Sequence, residues 1–514
     1  MGKSRRLKAE RRREHEAGSF TPAQTSASTP ASVPTPPTAT SGFTVSNVQP
    51  SATPAARATT PRTEPAADLV TRGLLAIAVV AWVLGHLVPN GSLSAVLGAI
   101  WGTAGILLGW RSPAGGLLLG LALAPFISGP LFQPVAEFLR AAPIWGSLAR
   151  LLTDRLIAGR FAPGRFAPSP ALTLAATAAM ILFPITRITA QANGHGSAET
   201  VFVEMLVIVG GASIFFASWI VATHLPRTDL QRVIRALPIP FAAAVATALL
   251  AWLQVPIISN FAFDGSTFGR LSGLGFPTPT AMGLAVATPL IVGTLWWRSR
   301  PAAIVLAAAA LLTMGLTESR GPVIALIVAS AVVFVMRGAA LRSINKLWLA
   351  VAGAGGLGAL AIVILSRYGR DISQGQIPGF GGDSDRVTSW IASLQVALQN
   401  PIFGGGWTSV RFWNNGELGE RNVNFAHNLV LQGLADGGLP LGGAMLAVVV
   451  AALVGIWRFR RTLSPAWIAA AVALLVCGVW DMPHLRTFGA AFGGLALGLV
   501  SRRDGNEEST GVAR

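Results

Sequence analysis

Apolar runs of roughly 17–25 residues, a length that crosses the hydrocarbon core of a bilayer, recur from residue 69 to residue 500 of this 514-residue chain. At that depth no water satisfies backbone N–H and C=O groups, so only helices or a closed barrel can cross. Barrel strands are segments of about ten alternating residues, whereas these runs are continuous and longer. Composition agrees: 12% of the residues are charged and 52% hydrophobic, with mean hydropathy +0.57, whereas a soluble domain carries about 25% charged residues. The expected fold is an all-α polytopic membrane protein of about 12–14 transmembrane helices. The spans fall near 69–89, 93–110, 114–132, 170–190, 201–223, 237–256, 279–297, 302–318, 321–337, 347–366, 429–457, 465–484 and 487–500.

Residues 1–68 belong to a different regime. Basic residues from Lys3 to Arg13 are followed by a Pro/Thr/Ala/Ser-rich stretch with too little apolar surface to fold. No apolar core follows the basic head, so it does not read as a cleavable signal peptide. A disordered cytoplasmic tail is expected, its head able to meet anionic lipid. The transmembrane domain then spans 69–503 and includes a large external loop, 367–428, while 504–514 forms a C-terminal cytoplasmic tail. The net charge of +17, from 39 basic and 22 acidic residues, would suggest nucleic acid in a soluble protein. Here the bases lie mainly in loops, as the positive-inside rule requires, and no nucleic-acid partner is expected. The lone Cys477 can form no intrachain disulfide.

Loop charge sets the orientation. Arg298 with Arg300, Arg337 with Arg342 and Lys346, Arg458 with Arg460 and Arg461, and Arg502 with Arg503 mark cytoplasmic loops, as does the interval Arg227–Arg235. The intervals 257–278 and 367–428 and the turn Asp481–Arg486 then fall outside. Arg150, Arg155, Arg160 and Arg165 come out on the wrong side unless 133–150, weakly apolar with Glu137 and Arg140, returns across the bilayer as an extra span. An even number of spans with both termini inside is expected.

Four residues invite a chemical reading. Arg320, in Glu318-Ser319-Arg320-Gly321-Pro322, falls at a helix start, since Pro322 suits a first turn and Ser319 an N-cap. A guanidinium beside free N–H groups and the positive dipole end would cradle phosphate. An interfacial arginine snorkelling to headgroups fits equally well. Arg270 lies between glycines just before a span, either as a ligand contact or as a solvated loop residue. Arg386 opens a segment with Trp390, Leu394 and Leu398 at helical spacing. That segment ends at Asn400-Pro401, before Gly404-Gly405-Gly406-Trp407, which forms either a plain turn or an anion nest. His427 precedes a short helical run that stops at Asp436-Gly437-Gly438-Leu439-Pro440. The dipole of that run disfavours a cationic imidazole, leaving a proton acceptor; a structural histidine is the plainer alternative. Asp383 and Asp385 show no histidine at ligand spacing and no phosphate-binding Gly-Lys-Ser/Thr loop occurs, so no metal or nucleotide cofactor is expected.

Glu318-Ser319-Arg320-Gly321, Arg386 with the Asn400-Pro401 to Trp407 stretch, and Ala426-His427-Asn428 through Asp436-Gly437-Gly438-Leu439-Pro440 together resemble the O-antigen ligase/O-antigen polymerase family. The resemblance covers roughly 200–460, and Asp436 stands where that family more often has Glu. It implies a GT-C-like fold in the cytoplasmic membrane with its active face on the periplasmic or extracellular side. It implies a glycan donor on undecaprenyl diphosphate, a hydroxyl acceptor, and neither metal nor nucleotide. Arg320, Arg386 and His427 match the family's essential residues, and Arg270 a further diphosphate-binding position. Asn428, Asp436 and Trp407 fall in supporting places. A polymerase using a second lipid-linked glycan as acceptor, and a transporter or lipid-glycan scaffold, are the competing readings. A transporter should carry ionisable groups at mid-membrane, whereas these lie near one face.

Overall fold

The computed structural model describes residues 65–87, 92–126, 139–157, 198–256, 277–337, 383–406, 425–482 and 487–502, with a few isolated positions between them. Among these residues the fold is helical apart from one two-residue strand pair, and the chain is a multi-pass membrane protein. The helices are α1 (Pro65–Leu87), α2 (Ser92–Arg111), α3 (Pro113–Leu123), α4 (Ala142–Ile157), α5 (Ala198–His224), α6 (Arg227–Ala236) and α7 (Pro238–Trp252). After β1 (Ser266–Thr267) and β2 (Arg270–Leu271) come α8 (Pro277–Trp296), α9 (Arg300–Leu316), α10 (Arg320–Arg337), α11 (Asp383–Gln399), α12 (Leu429–Phe459), α13 (Pro465–Trp480) and α14 (Thr487–Ser501). Four described stretches are long and apolar enough to span a membrane: Ser92–Arg111, Arg227–Trp252, Pro277–Trp296 and Leu429–Phe459. Six shorter apolar helices accompany them. Most of the expected spans 170–190 and 347–366, and both tails except the start of α1, lie outside the described residues.

Polar punctuation cuts the apolar chain into helices. Ser112 Oγ accepts from Gly115 N–H at 3.1 Å ahead of α3, and Ser299 Oγ accepts from Ala302 N–H at 3.4 Å ahead of α9. Both helices carry proline in their first turn, where its missing N–H costs nothing. The first helix starts four residues earlier than the expected span, at Pro65, for the same reason.

The ambiguous segment 133–150 resolves, over its described part, into α4. This helix runs parallel to α2: Gly105 meets Pro143, Gly146 meets Ile106, and Arg150 lies over the Trp110 ring at 5.9 Å. A Cβ on Gly146 would collide with the Ile106 carbonyl, so the two backbones touch, as small residues allow between helices in lipid. Being parallel to α2, α4 brings Arg150 to the end at which Arg111 lies.

A second set of contacts gives the bundle two chemically distinct ends. At one, Arg298 Nη1 donates to the Arg235 carbonyl at 3.2 Å. Nearby Trp219 Nε1 donates to Ser501 Oγ at 3.2 Å, and Arg502 Nη1 donates to the carbonyls of Ala222 (3.1 Å) and Leu225 (2.8 Å). These are the loops whose charge marked them as cytoplasmic. At the opposite ends of α8, α10 and α13 the chain presents Thr278, Arg320, Trp480 and Asp481.

Candidate functional site

The site end is assembled from α8, α10, α11, α12 and α13. Helix α10 begins at Arg320, as the sequence led us to expect, with Pro322 in its first turn. The preceding turn is tight. Thr317 Oγ1 donates to the Met314 carbonyl at 2.7 Å, Glu318 takes φ +53, and Ser319 Oγ lies 3.2 Å from Thr278 Oγ1 on α8. Arg320 is half-buried and Glu318 buried. Gly321 faces Trp480, where a Cβ would sit 3.3 Å from the tryptophan Cβ.

Arg386 lies on α11, which spans Asp383–Gln399. The three residues read as one helical face divide: Trp390 turns inward, its ring 6.2 Å from that of Trp480, while Leu394 and Leu398 are exposed. Seating Trp390 on Trp480 directs Arg386, one turn earlier, to the same end of α13. A small cavity is lined there by Arg386, Asp481, Trp480, Thr278, Gly321 and Pro322 among others.

His427 is the hinge between loop and helix. Its backbone is left-handed, φ +48, a conformation uncommon outside glycine and Asn/Asp/His. Asn428 holds it there: Oδ1 accepts from Val430 and Leu431 N–H at 3.0 Å each, capping α12, while Nδ2 donates to the Val479 carbonyl at 3.1 Å. That tie brings His427 to the end of α13, where Nδ1 lies 3.3 Å from Asp481 Oδ1. Asp481 is itself fixed by Met482 N–H, 2.8 Å from the same oxygen. One residue therefore belongs to both the cavity wall and the histidine contact, and the sequence reading did not select it. The available signal was a carboxylate directly after an apolar helix, Trp480-Asp481-Met482, at the end expected to face outward.

Asp436 is buried and accepts from Gln432 Nε2 with both oxygens at 2.8 Å, while Gln432 Oε1 accepts from Ala426 N–H at 2.8 Å. The acidic residue thus braces the segment just before His427 through Gln432. Helix α12 breaks immediately afterwards, at Gly437 (φ −127, ψ 17) and Gly438 (φ +63, ψ −158), a conformation almost confined to glycine. The glycine stretch Gly404–Gly406 serves this break: Gly405 N–H donates to the Ala435 carbonyl at 2.7 Å and Gly406 N–H to that of Asp436 at 3.0 Å. Those carbonyls end a helix and need donors, so the stretch is a docking turn and the anion-nest alternative falls. Trp407 and the side chain of Arg270 lie outside the described residues; the Arg270 backbone pairs with Thr267 in the small hairpin, which packs against α7 and α9. The side chains of Asp383 and Asp385 also lie outside them. No group of three or more His, Cys, Asp or Glu that could hold a metal occurs among the described residues.

Residues 302–445 match the family model described as O-antigen ligase. No curated protein matches the chain. The matched stretch contains Arg320, Arg386, His427 and Asp436, so the family resemblance now rests on an independent match across all three motifs. Arg270 and Asp481 lie outside it.

Proposed function

We propose that this O-antigen ligase-like membrane protein transfers a glycan from undecaprenyl diphosphate to a hydroxyl acceptor on the outer face of the cytoplasmic membrane. The observation that carries the reading is the position of Asp481, which lines one cavity with Arg386 beside the first turn of α10 and contacts His427. With Asp481 accepting from Nδ1–H, the imidazole is held in the tautomer that leaves Nε2 as a proton acceptor. The acceptor oxygen attacks the anomeric carbon and gives its proton to Nε2. The bond from that carbon to the diphosphate oxygen breaks, its electron pair leaving on the diphosphate, and single displacement inverts the centre. The leaving group needs charge stabilisation rather than protonation, which Arg320 and Arg386, with Arg270 as a further candidate, would supply. Fixed donors aimed at developing charge lower the barrier. Asn428 and Asp436 act as positioning residues for His427.

The test uses full-length protein reconstituted with an undecaprenyl-diphosphate-linked glycan and a hydroxyl acceptor, reading glycosidic product and released lipid diphosphate. His427→Ala should lower the rate about 10²–10⁴-fold, the usual worth of a general base, with membrane abundance unchanged. Asp481→Asn should lower kcat more than KM. Wild-type turnover by the His427 variant would end the assignment. Product length separates a ligase from a polymerase.

A further inference from the structure

The outward side of α11 carries an apolar stripe with no partner among the described residues. At 3.6 residues per turn, Val387, Ile391, Leu394 and Leu398 fall on one line, and all four are exposed, Leu398 at 78%. The next line round the helix is polar and exposed, with Gln395 and Gln399, and the opposite side, with Ser389, Ala392 and Val396, is buried against the bundle. One helix therefore faces protein, water and something apolar at once.

The apolar line does not stop at the end of the helix. Ile402 and Phe403 continue it, both exposed, and Leu439 joins them because its N–H donates to the Pro401 carbonyl at 2.8 Å. Leu439 in turn begins the exposed flank of the spanning part of α12, which runs on through Leu446, Val450 and Leu453. That flank belongs to a membrane-crossing segment, so the stripe on α11 extends a hydrocarbon-facing surface. It contains no charged side chain, and continuous exposed apolar surface of this kind marks contact with membrane or protein.

We infer that α11 is an interfacial helix, lying with its Val387–Leu398 stripe in the acyl-chain boundary of the leaflet at the site end. An amphipathic helix at that position buries its apolar face a few ångströms below the headgroups while its glutamines stay in water. The occupant is thus lipid, because the stripe is continuous with the lipid-facing flank of α12. If the proposed function holds, α11 also sets Arg386 at the depth of a lipid's phosphates, so the donor reaches the cavity sideways from the leaflet.

Nitroxide labels on single cysteines test the inference independently of catalysis. Leu394→Cys, Leu398→Cys and Phe403→Cys are compared with Gln395→Cys in full-length protein in phosphatidylglycerol/phosphatidylethanolamine bilayers. Unmodified protein, whose one thiol is buried, serves as the labelling blank. The three apolar positions should relax with oxygen and lose relaxation by a water-soluble nickel chelate, with the reverse at Gln395. Nickel relaxation at Leu398 and Phe403 equal to that at Gln395 would place the stripe in water and overturn the inference. Protection from both reagents would overturn it too, because a second copy or another protein segment would then cover the stripe.

Discussion

The two ends of this helical bundle place the same residue type in different surroundings. At the basic end, arginines sit over aromatic rings or cap helices: Arg300 over Trp296 at 5.8 Å, Arg460 over Trp457 at 4.2 Å, Arg502 on the Ala222 and Leu225 carbonyls at the end of α5. The Arg300 and Arg460 partners lie within four residues, whereas Arg502 reaches the end of a helix distant in sequence. At the site end Arg320 and Arg386 are half-buried: Arg386 lines a cavity with a carboxylate in its wall and an imidazole on that carboxylate, and Arg320 begins the helix whose next two residues, Gly321 and Pro322, line it too. What distinguishes the ends is therefore the company each arginine keeps rather than the number of arginines.

The largest effect expected from this contrast is on turnover. Arg320→Ala or Arg386→Ala should each lower the rate of glycan transfer about 10²–10³-fold, the scale for removing one preorganised donor from developing charge. The Lys variants should recover only part of it, since a point charge lacks the planar fork. Membrane abundance and thermal unfolding should stay close to wild type. Arginine variants at the site end that transfer at the wild-type rate would erase the distinction between the two ends.

The contrast also shows which parts of the site could be read in one dimension. Arg320 at the start of α10 follows from Pro322 two residues on, and the break at Asp436–Pro440 follows from two glycines and a proline. Both are local effects on backbone dihedrals. Loop charge picks out the basic end, and with it the expectation that this end lies inside. The His427–Asp481 contact does not follow, because 54 residues and two helices, α12 and α13, separate the partners, and Asn428 and Val479 must first dock. The same limit applies to α11. Spacing placed Trp390, Leu394 and Leu398 on one side of a helix, but only the Trp480 ring decides that the tryptophan turns in and the leucines stay out. Gly405 and Gly406 likewise spend their N–H groups on the carbonyls of a helix that breaks 30 residues later, which no local pattern announces.

A middle-sized effect tests the basic end as structure. Arg502 is buried and donates to two carbonyls at the end of α5. Arg502→Met keeps the stem but removes the donors, leaving C-terminal carbonyls with fewer partners. Hydrogen bonds to charged groups are worth about 1.5–3 kcal/mol, so thermal unfolding of the purified protein should shift downward. Turnover per folded molecule should hold. A fall in turnover without a fall in stability would mean that this end takes part in the reaction, and the division of labour would need redrawing.

The smallest effect is the sharpest probe of what Arg460 does. Its guanidinium sits 4.2 Å from the Trp457 ring centre and Nη1 donates to the Trp457 carbonyl at 2.7 Å, with Trp457 largely exposed. Tryptophan over which an arginine folds, at the end of a spanning helix, is the composition of a headgroup-level anchor. Exposed cation–π pairs are worth about 0.5–1 kcal/mol, so Arg460→Ala should barely move the unfolding midpoint and leave transfer unchanged in bilayers of any headgroup charge. Arg460→Glu, in contrast, adds a negative charge to a loop expected to lie inside. Because orientation depends on loop arginines and lysines rather than on net charge, it too should insert correctly, with the loop between α12 and α13 reached by a membrane-impermeant thiol reagent only from the cytoplasmic side when a cysteine replaces Thr462. Labelling of that cysteine from outside would turn the bundle over and carry the cavity, with Arg386 and Asp481, to the cytoplasmic face.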